Sequence, residues 1–307
     1  MSLLIVGTVA FDQVETPAGN SGIILGGAAT YIGLAASLIH PKVSIVSVVG
    51  HDFPDEYLEL FKNRKIDTQG LKVIPDGKTF FWACRYHSDM NNRDTLITDL
   101  NVLAGFDPVV PEAARKSKYV MLGNLTPAIQ KKVLMQMHER PKFITMDTMN
   151  FWMDSARDEL MEVINMVDLL AINDQEARQL SGEQQMMKAA NRILKMGPKF
   201  LIIKRGEYGA LLFGNDKVFF CPAVPLENVI DPTGAGDTFA GGLMGYLSKT
   251  DNVSFETIKT ALVYGAVMAS FTVENFGATR LLEIRADDIN ARIKHFRELS
   301  SFQIDLL

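Results

Sequence analysis

The stretch from Asp231 to Gly242 combines small residues with two carboxylates in the order Asp-Pro-Thr-Gly-Ala-Gly-Asp-Thr-Phe-Ala-Gly-Gly. Apolar residues at helical spacing follow Asp237, so a helix is predicted to begin here. Gly234, Ala235 and Gly236 fall at or just before its first turn, where backbone N–H groups have no partner inside the helix. Such amides, together with the helix dipole, bind anions such as a phosphoryl group. Asp237 is then placed beside an anion site, where its carboxylate can accept a proton.

A glycine-rich turn capped by an aspartate is the simplest alternative explanation of this stretch. Its order of Asp, Thr, Gly, Asp and a glycine pair is more specific, and it resembles the C-terminal signature of the ribokinase-like (PfkB) carbohydrate kinase family. A dinucleotide-binding fingerprint would need a third glycine where Phe239 stands. The resemblance implies an ATP-dependent phosphotransferase with Asp237 as general base and an anion hole made by Gly234, Ala235 and Gly236.

The composition favours a globular protein with a small-molecule partner. The chain has 307 residues with 31 basic and 36 acidic side chains, a net charge of −5, and nucleic-acid backbones need clustered positive charge instead. No apolar run approaches the ~20 residues of a membrane span, so no membrane partner is expected. The two cysteines, Cys84 and Cys221, suit a reducing compartment, and the N-terminus resembles no signal peptide. We therefore expect a cytoplasmic location.

Predicted strands alternate with predicted helices over most of the chain, beginning with strands over 3–7 and 42–49 on either side of a helix over 28–39. This rhythm predicts an α/β fold with a central, mostly parallel sheet flanked by helices. Residues 1–307 are interpreted as a single ribokinase-like domain. Further strands are predicted over 118–122, 143–147, 169–173 and 200–204, a hairpin over 210–213 and 217–221, and helices over 53–63, 127–138, 155–165, 183–196, 255–273 and 286–299.

The alternation breaks between about Leu71 and Val110. A β-rich run from Thr79 to His87 and a short strand over 95–98 enclose a polar turn, which indicates a hairpin. We interpret this hairpin as part of a small β-sheet lid. The alternative is that its strands extend the edge of the main sheet. The lid is predicted to comprise about 11–25 and 71–105, with partner strands near 11–15 and 23–25 and a turn over 19–22.

The resemblance also covers candidate acceptor contacts near the N-terminus. Gly26 and Gly27 open a predicted helix and are similar to the family's glycine pair that lets the backbone approach the sugar. Asp12 stands where the family holds acceptor hydroxyls with a carboxylate, although an aspartate at a strand end is also a common cap. Tyr31 occupies a stretch where the family often has Ala-Asn-x-Ala. Trp82 belongs to an aromatic stripe that either stacks on a sugar or base, or is simply packed.

Asn173-Asp174-Gln175-Glu176 matches the family's Asn-x-x-Glu element, which helps organise magnesium and phosphates. Mg²⁺ keeps much of its water in proteins, so Glu176 is expected to reach the ion through water. Asn173 is then a candidate ATP contact. The same two residues also fit a helix capping box, and the two roles are compatible.

The remaining ATP-side candidates are implied by the resemblance. Lys204 and Gly206 lie in a strand end and glycine turn that touch nucleotide phosphates in the family, although Lys204 is equally explained as a solvent-exposed side chain. Asn275 follows a helix that forms a wall of the family's adenine site, and it also fits a helix cap. Asp231 and Thr233 lie near the family's monovalent-cation site, for which K⁺ is the candidate cofactor besides ATP and Mg²⁺.

The acceptor is not fixed by the sequence. Residues 147–152 lack the Pro and Arg of the family's Asp-Pro-Asn-x-Arg element. We expect phosphorylation of a primary alcohol on a sugar or sugar-like molecule. The alternatives are a nucleoside kinase, similar to adenosine kinases, and a non-catalytic ligand-binding homologue, against which the intact Asp237 argues. The resemblance also suggests a homodimer formed through paired lids.

Overall fold

The computed structural model describes residues 2–303, which form a nine-stranded sheet and a separate four-stranded sheet. The strands are β1 (Leu3–Val6), β2 (Ala10–Thr16), β3 (Gly19–Gly26), β4 (Val43–Gly50), β5 (Ile66–Ile74), β6 (Phe81–Tyr86), β7 (Arg93–Asp99), β8 (Tyr119–Leu122), β9 (Phe143–Met146), β10 (Leu169–Asn173), β11 (Phe200–Lys204), β12 (Ala210–Gly214) and β13 (Lys217–Cys221). In the large sheet the strand order is β13-β12-β11-β10-β9-β8-β1-β4-β5, and the small sheet has the order β3-β2-β6-β7.

Helices cover both faces of the large sheet. They are α1 (Ala28–Ser37), α2 (Asp55–Asn63), α3 (Pro127–Met135), α4 (Asn150–Ser155), α5 (Arg157–Ile164), α6 (Asp174–Ser181), α7 (Met186–Leu194), α8 (Ala235–Thr250), α9 (Phe255–Thr272), α10 (Thr279–Glu283) and α11 (Ala286–Ser300), with short 3-10 turns at Asn101–Gly105, Ala114–Lys116 and Gly206–Tyr208. Within residues 2–303, none of the helices combines the length and apolar character needed to cross a membrane.

The two faces of the large sheet build two hydrophobic cores. Side chains alternate across a strand, so Leu3 and Ile5 of β1 pack on one face and Leu4 and Val6 on the other. The first core includes residues of α1, α8 and α9, and the second includes residues of α3, α5 and α7. The seven strands that follow one another in the large sheet from β11 to β5 all pair in parallel. At the other end of this sheet, β12 pairs antiparallel with both β11 and β13. The carboxyl ends of the parallel strands therefore meet at one edge, where α/β proteins bind ligands.

The sequence prediction of a mostly parallel sheet flanked by helices, with a second small sheet, is confirmed. The predicted hairpin is formed by β6 and β7, and β2 pairs with both β6 and β3. These four strands form their own sheet, so the alternative of extra strands on the edge of the main sheet is wrong. We call the sheet formed by β2, β3, β6 and β7 the lid.

Several predicted boundaries are wrong. The turn expected over 19–22 lies at Pro17 and Ala18, because β3 already begins at Gly19. Residues 71–74, predicted for the lid, belong to β5 and pair in parallel with β4 of the large sheet. The interpretation of residues 1–307 as one domain stays a prediction, and Met1 and residues 304–307 lie outside the described part.

Two predicted helices begin later than expected. The helix expected over 155–165 begins at Arg157, because Ala156 has a non-helical backbone with φ −145 and ψ 44, and the separate helix α4 ends before it at Ser155. The helix expected over 183–196 begins at Met186. A separate helix, α6, precedes it and ends at Gly182, whose φ of 73 stops the helix with a left-handed residue.

Candidate active site

Three neighbouring strands of the large sheet end in polar residues at the same edge. Asp147 follows β9, Asn173 ends β10 and Lys204 ends β11, with Asn173 and Lys204 directly paired across the two strands. Lys204 Nζ donates to Asp147 Oδ2 at 3.0 Å. The polar side chains at this edge therefore include an ion pair between Lys204 and Asp147.

Asn173 and Glu176 form the predicted capping box at the start of α6. Asn173 Oδ1 accepts from the Glu176 N–H, and Glu176 Oε2 accepts from the Asn173 N–H, both at 2.8 Å. The Glu176 side chain is buried, and burial together with the Asp147 carboxylate raises its pKa to about 7. Among the described residues, its other oxygen, Oε1, has no hydrogen-bond partner and can accept from a water molecule. That fits the predicted water-mediated contact with Mg²⁺.

The signature loop enters α8 through Gly234, which is the N-cap residue with φ 74. A left-handed backbone of this kind favours glycine. Its carbonyl accepts from the Thr238 N–H, while the Ala235 N–H donates to the Pro232 carbonyl at 3.2 Å. In the described part of the chain, the amides of Gly234 and Gly236 have no acceptor. These two amides fit the predicted anion hole, whereas the Ala235 amide is already engaged in this conformation.

Tyr31 lies beneath this loop. A methyl group on Gly234 would come within 2.5 Å of the Tyr31 ring, so the glycine is needed for the close contact. Tyr31 is only 1% exposed, and its hydroxyl has no hydrogen-bond partner among the described residues. The ring therefore supports the signature loop and offers no surface to an acceptor in this conformation, in contrast to its predicted role.

Asp231 fastens the start of the signature loop to the segment after α9. Its Oδ1 accepts from the Thr233 N–H at 2.8 Å and its Oδ2 from the Gly277 N–H at 3.0 Å. The side chain is fully buried, and burial raises its pKa although the two amides oppose this. Both carboxylate oxygens thus have a structural task that the sequence alone did not indicate.

Asp237 lies in the first turn of α8, next to the two free amides. Burial and the Asp147 carboxylate raise the pKa of Asp237 to about 7, against the opposing charge of Lys204. A base with a pKa near the working pH combines a large deprotonated fraction with enough basicity to take a proton. Its position and pKa therefore fit the predicted proton acceptor.

Lys204 stands close to the same helix start. A methyl group on Gly236 would lie 3.4 Å from Lys204 Nζ. Burial lowers the pKa of Lys204, but the surrounding carboxylates, first Asp147 and then Glu176, outweigh it and hold that pKa above its ordinary value. Lys204 is therefore a charged ammonium turned toward the loop, and the alternative of a solvent-exposed side chain is wrong.

The predicted acceptor residues meet at the base of the lid. Gly26 has no room for a side chain, because a methyl group there would lie 2.0 Å from Asp12 Oδ2. Gly27 has φ 92, and its added methyl would come within 2.5 Å of the Thr8 carbonyl oxygen. Asp12 itself is buried, and burial raises its pKa to about 7, with further contributions from Asp231 and Asp237. The glycine pair thus gives Asp12 its place beside the signature loop.

Trp82 lies next to Asp12 on the lid. The two residues are paired across β2 and β6, so their side chains emerge on the same face. Tyr86, four residues further along β6, is on this face too, and its hydroxyl accepts from Thr233 Oγ1 at 3.4 Å. The lid face that carries Asp12, Trp82 and Tyr86 is therefore turned toward the signature loop. We call the space between this face and the strand ends the cleft.

Two further ATP-side candidates, Gly206 and Asn275, lie in segments that follow β11 and α9. Gly206 begins the 3-10 turn after β11 and has φ 56. Asn275 is partly buried after α9, and its Oδ1 accepts from the N–H of the next residue, Phe276, at 2.8 Å, whereas the C-cap of α9 is Val273. No group of three or more His, Cys, Asp or Glu side chains in residues 2–303 could hold a metal ion alone.

Two polar residues of the cleft escaped prediction as site residues. In the sequence, Asp147 is only the first residue of a family element that lacks its Pro and Arg, yet it holds Lys204. Arg93 begins β7, and its guanidinium lies over the rings of Trp82 and Tyr86. In the sequence, Arg93 is a basic residue inside the predicted polar turn, which is the one available signal for it.

Comparison with known proteins gives this geometry its context. Residues 8–285 match the model of the pfkB family carbohydrate kinases. The chain belongs to the pfkB family of carbohydrate kinases. A relative of this pfkB chain is the cytidine kinase of Thermococcus kodakarensis, with 32% identity over 80% of this chain and 88% of that protein.

Two solved structures share the fold of this pfkB kinase. The nucleoside kinase of Methanocaldococcus jannaschii has a TM-score of 0.77 and 22% identity, covering 96% of this chain and 99% of the other. A putative ribokinase II from E. coli, in complex with ATP and Mg²⁺, has a TM-score of 0.79 and 21% identity, with coverages of 96% and 99%. The sequence-based assignment to a ribokinase-like kinase family is thereby confirmed.

Proposed function

We propose that this pfkB kinase phosphorylates the primary hydroxyl of a nucleoside, with ATP as donor and Asp237 as general base. The observation that carries the acceptor class is the pairing of Asp12 with Trp82 on one face of the lid. A carboxylate suits the hydroxyls of ribose, and a partly exposed indole offers a stacking surface for a base. The cytidine kinase and nucleoside kinase among its relatives support this choice over the free sugar that the sequence first suggested.

The transfer step follows from the arrangement around Asp237. The carboxylate takes the proton of the acceptor hydroxyl while the oxygen attacks the γ-phosphorus. A new phosphorus–oxygen bond forms as the bond to the β–γ bridging oxygen breaks, and ADP leaves. Because the transition state is loose, positioning and charge stabilisation contribute more than basicity.

The amides of Gly234 and Gly236 and the Lys204 ammonium stabilise the negative charge on the transferred group. Lys204 Nζ lies at the start of α8, where the helix dipole also favours anions. Asp147 keeps the ammonium in this place through its 3.0 Å contact. Thr233 and Gly206 are proposed to line the phosphates, and Asn275 the adenine.

Mg²⁺ is proposed as the cofactor bound with ATP. Glu176 would reach it through a water on Oε1, and Asn173 keeps this carboxylate in place through the capping box. When bound, the ion neutralises charge on the phosphate oxygens. Support comes from the fold shared with the ATP- and Mg²⁺-bound ribokinase II.

A monovalent-cation site beside Asp231 and Thr233 is a further proposal. The Asp231 carboxylate is fully buried and accepts from the Thr233 and Gly277 amides. A cation bound to its remaining lone pairs would therefore help to fix the position of the signature loop. Initial rates measured in K⁺ and in a tetramethylammonium salt of equal ionic strength test it. Equal rates in both salts would rule the site out.

We propose a cytoplasmic location, because Cys84 and Cys221 are both buried free thiols, which suits a reducing compartment.

We also propose that the protein forms a homodimer through the lid. Ile23 and Ile97 lie in one row across the lid with Gln13 and Ala83, on the face opposite Asp12. Both isoleucines are exposed, by 66% and 43%. Sedimentation velocity should show a dimer that Ile23→Arg dissociates, whereas a monomeric wild-type protein would contradict the proposal.

The acceptor is tested with a panel of nucleosides and free sugars, read by ADP release. We expect nucleosides to be phosphorylated with the higher kcat/KM, and Trp82→Ala to remove most of that preference. Turnover of sugars alone would make the protein a sugar kinase. Turnover of neither class would leave the non-catalytic homologue as the better explanation.

A further inference from the structure

Arg93 is the cation of the cleft for which the proposed mechanism has no use. It is paired with Tyr86 across β6 and β7, so its side chain lies on the lid face that is turned toward the signature loop. Its guanidinium carbon lies 5.5 Å from the centroid of the Trp82 ring and 5.9 Å from that of Tyr86. Cation–π contacts hold a charge in place without neutralising it.

The charge of Arg93 is not taken up by a carboxylate. Its lid neighbours Arg85 and His87 pair with Glu15 and Asp94. Arg93, by contrast, forms no ion pair within the part of the chain that the structure describes. An uncommitted guanidinium facing a cleft of carboxylates is suited to bind an incoming anion.

The field of Arg93 reaches both sides of the transfer point. It counts among the charges that lower the pKa of Glu176, on the ATP side, and the pKa of Asp237, at the acceptor hydroxyl. Burial and Asp147 still dominate both groups. Arg93 thus lies within electrostatic range of the proposed magnesium contact and of the proposed base.

The turn before Arg93 touches the phosphate side of the cleft directly. A methyl group on Gly206 would lie 3.2 Å from Asn91 Oδ1, and Asn91 precedes Arg93 by two residues. The lid hairpin therefore spans from the acceptor residues at its base to the proposed phosphate loop at its tip. Arg93 lies between these two contacts.

We propose that Arg93 is a catalytic residue whose guanidinium contacts the transferred phosphoryl group once ATP and acceptor are bound. This inference rests on the proposed transfer at Asp237. Charge spreads over the equatorial phosphoryl oxygens in the transition state, and a planar guanidinium can bind two of them at once. Lys204 shares its charge with Asp147, so Arg93 supplies the positive charge that the strand ends lack.

The test compares Arg93→Met with the control Arg85→Met. Arg85 lies on the adjacent strand with its side chain on the opposite face, where it pairs with Glu15 at 2.6 Å. Steady-state rates are measured with Mg-ATP and the acceptor that the wild-type enzyme uses best. We expect Arg93→Met to lower kcat by about 10²-fold and Arg85→Met to leave it unchanged. Millimolar guanidinium should restore part of the rate of Arg93→Ala, which a structural role would not allow.

A decrease in kcat of less than about tenfold, or a change confined to KM, overturns the proposal. Thermal melts show whether each variant is folded. If Arg93→Met does not fold, the same kcat criterion is applied to Arg93→Gln. If a sugar is the best acceptor, the acceptor class changes and Arg93 is tested with that sugar. If the wild-type enzyme phosphorylates nothing, the proposed function and this inference both fail.

Discussion

The ATP side and the lid side of the cleft are built by different means. On the ATP side, backbone contacts fix the polar groups: Asn173 and Glu176 cap one another, and Asp231 binds two amides. On the lid, all seven residues of β7 are exposed, and aromatic rings rather than hydrogen bonds hold Arg93. Rigid scaffolds suit a phosphate donor common to many enzymes, whereas exposed strands suit acceptor selection and closure. Substitutions on the two sides should therefore have different kinetic effects.

The largest effect is expected at the boundary between the two sides. Asp237→Asn keeps the shape of the side chain but cannot accept a proton. We expect kcat to fall by ~10²–10⁴-fold with little change in either KM, because the proton acceptor acts in the transition state. Single-turnover rates with the preferred acceptor measure this. Wild-type turnover in the variant would remove Asp237 from the mechanism.

A loss of about 10²-fold is expected when Lys204 is replaced by Met, since one donor to the transferred phosphoryl group is removed. Lys199→Met is the matched control. Lys199 immediately precedes β11, the strand that Lys204 ends, and it pairs with Asp168 at the opposite edge of the sheet. Steady-state kinetics should show the decrease in kcat for the first variant alone. Equal kinetics in the two variants would mean that the position of Lys204 has no bearing on catalysis.

A smaller effect on acceptor binding is expected for Trp82→Ala, together with a decrease in kcat because the Trp82 ring also holds Arg93. Loss of base stacking should raise the KM for the nucleoside about tenfold while the KM for ATP stays the same. Phe220→Ala, which removes a ring that is exposed on β13, serves as the control. Parallel increases in both KM values would contradict the separation between an ATP side and a lid side.

The pH dependence should show the buried carboxylates of the cleft. Because burial and Asp147 raise the pKa of Asp237 to about 7, kcat should rise with pH through that value as the base loses its proton. Stability should change in the opposite sense. The folded protein binds protons that the unfolded chain releases from about pH 4 upward, so raised pKa values in Asp12 and Asp237 make stability fall toward pH 7.

Rate–pH profiles and urea melts across pH 5 to 8 measure both trends. Asp12→Asn should flatten the decrease in stability, since one of the two groups no longer titrates. A pH-independent kcat over this interval would contradict the raised pKa of the base.

The smallest effect is expected beneath the signature loop. Tyr31→Phe removes a buried hydroxyl that has no partner among the described residues, while the ring that supports Gly234 remains. We expect stability to change by no more than about 1 kcal/mol, toward a more stable protein, with kcat unchanged. Thermal melts and initial rates are sufficient. A large loss of activity would mean that the hydroxyl itself contacts a substrate.

The same contrast explains what the sequence could predict. The ATP side is encoded in short local segments, so the signature loop is recognisable by its resemblance to the family motif and the Asn173–Glu176 capping box by its spacing. Contacts between distant segments were not. The pairing of Lys204 with Asp147, separated by 57 residues, depends on the order of β9, β10 and β11 in the sheet. The fold class followed from strand–helix alternation, but the boundary of the lid did not, because β5 continues the main sheet to Ile74.

Tyr31 and Arg93 illustrate the remaining gap in the candidate site. The position of Tyr31 after a glycine pair suggested an acceptor contact, yet the fold buries its ring under Gly234. Arg93 belongs to the predicted polar turn and carries no motif, yet it begins β7, and strand pairing places it over two aromatic rings. Strand register decides which face a side chain takes, and a shift of one residue reverses it.

The account is tested most directly by the ratio of kcat/KM for cytidine to kcat/KM for free D-ribose in the wild-type enzyme. Both molecules offer a primary hydroxyl on the same sugar, and only cytidine offers a base to Trp82. Stacking of one base contributes about 1–3 kcal/mol, so we predict a ratio of at least about tenfold in favour of cytidine. A ratio at or below one would contradict the proposal that the lid selects a nucleoside.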